Sequence, residues 1–247
     1  QKTAYEIKEC DWSSDVCSSD LQYNIKTTSL REWFNSLPVR NFRQSLLSDQ
    51  RTDICSWCHH DEAMGGTSRR HRSNQKSVIF TKQAFDESFK QSPSYEHFKL
   101  SETQQGLTDT LPIDLHVDLG NYCNLACKMC YPIASTTIAV QHVQWGIESD
   151  RQYLGLDWTK DNDAWLRFLN ELLTIPKLKN IHFMGGETLL TKRFEEFVDF
   201  FIHHKRFDIS FSFVTNGTHF NQQLLDKLKK FARVGIEVSI ETNSLHN

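Results

Sequence analysis

Apolar and polar positions follow two different rhythms along the chain. Near the start, Ser29 is placed to cap a short helix, LREWFNSL, whose Leu30, Trp33, Phe34 and Leu37 form an apolar stripe. Pro38 ends or restarts it, and VRNFRQSLL continues with Val39, Phe42, Leu46 and Leu47. The run TDICSWCHHDEAMGGTSRRHRSN reads as a loop, and the polar stretch from Ser92 to Thr110 reads as a linker. From Leu111 the pattern becomes regular. PIDLHVDL, KNIHFMGGE, DISFSFVTNGT and GIEVSIETN are predicted strands. Between them, DNDAWLRFLNELLTI, TKRFEEFVDFFIHHKR and NQQLLDKLKKFAR are predicted amphipathic helices, the first capped by one of Asp161 to Asp163 and stopped before Pro176. Alternating strand and helix predicts an α/β fold with parallel strands and right-handed crossovers.

The strands alternate, whereas strands covered on both faces of a parallel sheet read as continuous apolar runs. Asp114, His116 and Asp118 interleave with Ile113, Leu115 and Val117; Ser210 and Ser212 interleave with Ile209, Phe211 and Phe213. Glu237, Ser239 and Glu241 interleave with Ile236, Val238 and Ile240. With helices on the apolar face, the opposite face is polar. The pattern fits a curved sheet around a ligand-filled concavity, and it also fits a sheet with one face in plain solvent.

Composition changes this picture little. The hydrophobic share is 38%, with 17 Phe, enough to bury a real core. The net charge of −3 argues against a protein-wide nucleic-acid surface. No apolar run reaches membrane-spanning length and no charged-then-apolar leader opens the sequence, so a soluble, cytoplasmic protein is expected. Residues 11 to 21, DWSSDVCSSDL, resemble the translated product of a common short-read sequencing adapter at every position. Residues 1–21 are therefore treated as an artefactual or disordered tail. Without Asp11, Asp15 and Asp20 the formal charge is neutral, and without Cys10 and Cys17 five of the seven cysteines remain.

Those five form a C-x2-C pair, Cys55 and Cys58, and a C-x3-C-x2-C group, Cys123, Cys127 and Cys130. Such spacing reads as metal ligation rather than a disulfide framework. NYCNLACKMCYP sets three thiolates in a loop directly after a strand. Three thiolates can each hold one iron of a 4Fe–4S cluster and leave the fourth iron open for a second molecule. Gly185, Gly186 and Glu187 end the next predicted strand. In this order, the two motifs resemble the radical S-adenosylmethionine (SAM) superfamily.

That resemblance implies a six-stranded partial barrel with the cluster loop after its first strand and the GGE motif at the end of its second. The expected fold is thus a partial (β/α)6 TIM-like barrel, truncated after about four strands and preceded by a small, mostly helical accessory region. Its expected divisions are 22–110, holding the C-x2-C pair and linker, and 111–247, the N-terminal part of the core. The resemblance implies that SAM chelates the open iron and is cleaved reductively to methionine and a 5′-deoxyadenosyl radical, which abstracts hydrogen from a substrate, a peptide or a small metabolite. An electron donor such as a flavodoxin or ferredoxin would serve it. The GGE stretch would contact the SAM amino group, and Tyr131, Thr215, Asn216, Ser239 and Glu241 are candidates for the rest of SAM, against ordinary strand-end polarity. Met129 departs from the pattern: an aromatic residue usually precedes the third cysteine, so a stacking contact near adenine is lost.

Cys55 and Cys58 have three readings. They are half of an auxiliary iron–sulfur site, as in twitch-type relatives; a zinc site completed by His59 or His60; or unligated thiols. Arg69, Arg70, His71 and Arg72 form a basic run that reads as solvated surface or as a phosphate- or peptide-binding patch. Because the sequence stops after its fourth predicted strand, it is expected to be a gene fragment with an unpaired strand edge and poor stand-alone activity. The competing function is a non-catalytic zinc or iron–sulfur interaction module; on either reading neither a membrane nor a nucleic acid is expected as partner.

Overall fold

The structure is a computed structural model that describes residues 24–48, 50–68, 90, 94–112, 114–176, 178 and 180–240. The tail 1–21, the basic run at Arg69 to Arg72 and Glu241 lie outside the described residues. The chain divides into two compact units, Gln1–Pro112 and Ile113–Asn247.

The first unit holds helices α1 (Leu30–Phe34), α2 (Leu37–Leu47), α3 (Ser56–Ala63) and α4 (Ser94–Thr103). Ser29 and Glu32 form a reciprocal capping box on α1, and Pro38 sits in the first turn of α2, so it starts the second helix. Two expectations are corrected here. Within the predicted loop around the C-x2-C pair, Asp53–Cys55 form a 3-10 turn and Ser56–Ala63 form α3, and the predicted linker contains α4. What holds the segment after α4 is tertiary. The Arg40 guanidinium donates to the carbonyls of Gln104 and Gln105, and Asn35 exchanges two hydrogen bonds with the Thr108 backbone. Buried Arg43 lies over the Phe34 ring at 4.1 Å and donates to the Gly106 and Phe34 carbonyls. Burial, reinforced by Arg40, lowers its pKa to about 10.

In the second unit four strands, β1 (Asp114–Asp118), β2 (Asn180–Met184), β3 (Ser210–Thr215) and β4 (Arg233–Val238), form a parallel sheet in the order β1-β2-β3-β4. Its helices are α5 (Thr136–Gln144), α6 (Asn162–Leu173), α7 (Lys192–His203) and α8 (Gln222–Leu228). Asp161 caps α6, accepting from Ala164 N, and Asn221 caps α8. Sequential strand order with crossovers of one hand sets successive helices on one face, the arrangement of a partial barrel.

The covered face carries Leu115 and Val117 beside Ile181 and Phe183, then Phe211 and Phe213, all buried. Phe194 and Phe197 of α7 meet this row: Phe183 lies 4.8 Å from Phe197 and Phe194 lies 4.9 Å from Phe213, centroid to centroid. Phe231 reaches Phe211 at 5.0 Å. Much of the phenylalanine content thus makes one edge-to-face core. On β4, Ile236 and Val238 stay exposed and Val234 is half-buried, and among the described residues β4 pairs only with β3. No helix among the described residues is long and apolar enough to cross a membrane.

Replacing Phe197 by Ala removes a fully buried ring touching Phe183, Phe201 and Phe211. The expected cost is about 3–5 kcal/mol, read from the urea midpoint.

Candidate cofactor site

The cysteine loop leaves the end of β1 and is pinned at both ends by one side chain. Asn121 is 1% exposed; its amide nitrogen donates to the Pro132 and Tyr153 carbonyls at 3.2 and 2.6 Å, and its amide oxygen accepts from Thr136 Oγ1 at 2.6 Å. Its backbone carbonyl also accepts from Thr136 N. Ser135 Oγ donates to the Leu125 carbonyl and Thr137 Oγ1 to the Cys123 carbonyl, so the start of α5 fixes the loop from a second side. Just before it, Gly120 has φ +120, where a Cβ would meet the Leu156 carbonyl at 2.6 Å.

Cys123, Cys127 and Cys130 are half-buried, and none is in a disulfide. Leu125 N lies 3.5 Å and Asn216 Nδ2 3.8 Å from Cys123 Sγ, the N–H···S contacts that thiolate ligands of clusters accept. Among the described residues no three His, Cys, Asp or Glu side chains converge closely enough to hold a single metal ion. A lone tetrahedral zinc needs its thiolates about 3.8 Å apart, whereas a cubane cluster takes one thiolate on each of three irons. Three reduced thiols on a pinned loop, with amide donors beside them, fit the donor set of a 4Fe–4S cluster.

The GGE stretch packs under this loop. Gly186 N donates to the Ala134 carbonyl and Glu187 N to the Tyr122 carbonyl. At Gly186, φ +46, a Cβ would lie 2.2 Å from the Tyr122 carbonyl oxygen; at Gly185, φ +85, it would lie 1.8 Å from Asp118 Oδ1. Only glycine allows either approach. Glu187 itself is 0% exposed and turned inward. Its Oε1 accepts from Leu189 N at 3.0 Å and Thr215 Oγ1 at 2.6 Å, and its Oε2 accepts from Asn216 N at 2.6 Å. The carboxylate therefore joins the end of β2 to the end of β3.

The other sequence candidates divide. Thr215 is buried and bonded to Glu187, while Asn216 also donates to Asn124 Oδ1 at 2.9 Å, linking β3 to the cysteine loop. Tyr131 is exposed and its carbonyl accepts from Ala134 N. Ser239 is exposed, and its N–H donates to the Thr215 carbonyl. Met129 is 81% exposed beside the third cysteine. Cys55 ends a single 3-10 turn, Asp53–Cys55, and Cys58 lies in the first turn of α3, three residues on; His59 meets Glu62 at 3.8 Å. This pair belongs to the first unit.

Behind the loop the open face of the sheet carries a polar floor. His116, His182 and Ser212 are in register; the two rings are 5.0 Å apart and His182 Nδ1 is 2.7 Å from Ser212 Oγ. Burial, then the neighbouring His116, holds the His182 pKa below its usual value against the opposing pull of Glu237 and Asp114.

Asp118, at the rim, is exposed at its surface yet crowded by surrounding protein, and this crowding raises its pKa to about 6, against a hydrogen bond from Gly120 N. Neither Asn121 nor Asp118 carries a motif. The nearest sequence signals are the asparagine two residues before Cys123 and the polar rung that Asp118 ends.

A carboxyl whose folded pKa exceeds its unfolded one stabilises the fold when protonated, so stability falls as pH rises from about 4 through 6. Asp118→Asn, which cannot ionise, is expected to melt higher than the parent at neutral pH, with the gap closing in acid. Glu187→Gln sets an amide N–H₂ against donors and should cost about 2 kcal/mol in a denaturation curve.

The radical SAM superfamily model matches residues 117–244. Among solved structures the chain is similar to SuiB of Streptococcus suis bound to precursor peptide SuiA, at 16% identity and TM-score 0.37, covering 76% of this chain and 38% of that one. The same protein bound to S-adenosylmethionine matches at 13% identity and TM-score 0.33, covering 86% and 41%. The chain thus spans about two fifths of those solved chains. No curated protein matches. With its cysteine loop and GGE turn inside the matched span, the chain belongs to the radical SAM superfamily.

Proposed function

We propose that the second unit holds a 4Fe–4S cluster through Cys123, Cys127 and Cys130 and presents SAM to it at the C-terminal ends of β1 to β3. The observation that carries this reading is three reduced thiols on one pinned loop with the glycine pair packed against that loop's backbone. Bound and reduced, the cluster supplies the electron that splits the SAM sulfonium into methionine and a 5′-deoxyadenosyl radical. The residues of this chain supply position. Asn121 and Ser135 to Thr137 fix the loop, Gly185 and Gly186 let Asp118 and the Tyr122 carbonyl pack against the motif's backbone, where the methionine group would lie, and Glu187 holds β2 against β3.

The polar floor of His116, His182 and Ser212 lies on the concave side, where it would hydrogen-bond a polar substrate, a peptide or a small metabolite. Tyr131, Asn216 and Ser239 stand around the same end of the sheet and would line the remainder of the SAM pocket, with Glu241 beyond them in sequence. Reduced thiols and a low-potential cluster suit the cytoplasm and a flavodoxin- or ferredoxin-like donor. Cys55 and Cys58, one helical turn apart, would face the same way and serve as two ligands of a twitch-type auxiliary site.

Anaerobic reconstitution should give a brown protein with about four irons per second unit. On reduction with dithionite it should release 5′-deoxyadenosine from SAM, and Cys127→Ala should abolish that release. A colourless protein that retains zinc and leaves SAM intact would instead support an interaction module.

A further inference from the structure

Resting on the SAM-binding reading above, we propose that Asp118, and not Glu187, supplies the carboxylate that receives the α-ammonium group of the methionine moiety. The three donors on Glu187, one of them a hydroxyl and two of them backbone N–H groups, leave it inside the protein with no face toward the concavity. A buried carboxylate so bonded has little capacity for a further partner.

Asp118 is differently placed. It ends β1 on the open face, in register with Met184 of β2, the residue before the glycine pair. Its Oδ1 lies where a side chain of Gly185 would begin, so the carboxylate sits directly against the backbone that the motif leaves bare. The absent side chain at Gly185 thus makes room for the Asp118 carboxylate. Among the described residues Oδ1 accepts only from Gly120 N, Oδ2 accepts from nothing, and no Lys, Arg or His lies within ion-pair distance. At the same ends of the neighbouring strands stand Met184 and Val214, which offer no charge; Glu237 lies out on β4 and approaches His182 at 4.0 Å. A crowded carboxylate with a vacant oxygen and no cation is complemented by an ammonium, through a charge-assisted hydrogen bond. The elevated Asp118 pKa agrees with that unmet demand.

The test uses Asp118→Asn, which keeps an oxygen for Gly120 N and removes the charge, with Asp118→Ser as a second variant of the same kind. The anaerobically reconstituted chain is titrated calorimetrically with S-adenosylhomocysteine, which carries the amino-acid group without a sulfonium charge, and with 5′-methylthioadenosine, which lacks that group. Both variants should bind S-adenosylhomocysteine about tenfold or more weakly, the worth of a charge-assisted hydrogen bond, and bind methylthioadenosine within about twofold of the parent. Unchanged affinity for S-adenosylhomocysteine, or an equal loss for both ligands, overturns the assignment while leaving the SAM site standing. A reconstituted parent that binds neither ligand removes the SAM-binding reading itself.

Discussion

A carboxylate taken wholly out of water has to find all its hydrogen bonds inside the protein, and whatever it binds becomes fixed relative to it. Glu187 does this at the point where the sheet meets the cysteine loop. Its own N–H reaches the Tyr122 carbonyl at the loop's start, while its side chain takes the Thr215 hydroxyl and the Asn216 N–H from β3. Thr215 explains why the link is needed. It lies on the covered face in line with Phe211 and Phe213, where a hydroxyl would otherwise be stranded among aromatic rings. The turn to Asn216 then carries an amide to Cys123 and Asn124. A single buried group thereby ties two strand ends to the loop that bears the thiols.

The first three strands were legible because a period of two with one covered face leaves a plain trace, whereas β4 begins two residues before the expected segment and buries neither face; the cap of α6 was legible only as one of Asp161 to Asp163. Helix α4 was not. Its Ser94–Thr103 segment has no marked apolar face, and the turn that follows is secured by Arg40 and Arg43, more than sixty residues away in sequence. The same limit governed the site. Three cysteines and a GGE announce themselves by spacing, yet the direction of the Glu187 side chain depends on residues twenty-eight and twenty-nine positions later. Asn121 and Asp118 were invisible for a related reason: their importance lies in contacts with Tyr153 and Gly185 rather than in any local pattern.

The open face combines two kinds of polar residue with different duties. His182 is held toward its neutral form by burial and by His116, so at neutral pH it offers Ser212 and any visitor a donor and an acceptor rather than a charge. Asp118, at the rim, keeps its negative form only at a cost to the fold. The carboxylate at the rim and the hydrogen-bonding His182 beneath it thus separate a place suited to gripping an ionic group from one suited to hydrogen-bonding a substrate.

The manner in which Asn121 clasps the cysteine loop bears on how the site is built in time. Three side-chain hydrogen bonds and a backbone one hold the loop's two ends together using protein groups alone. In small zinc domains the metal is the folding nucleus, and chelation of it undoes the structure. Here hydrogen bonds between protein groups join the loop's ends, so a cluster taken up by the three thiols would meet a loop whose closure is already favoured. On the proposed reading, folding and cluster assembly would be less tightly coupled here than in such zinc domains.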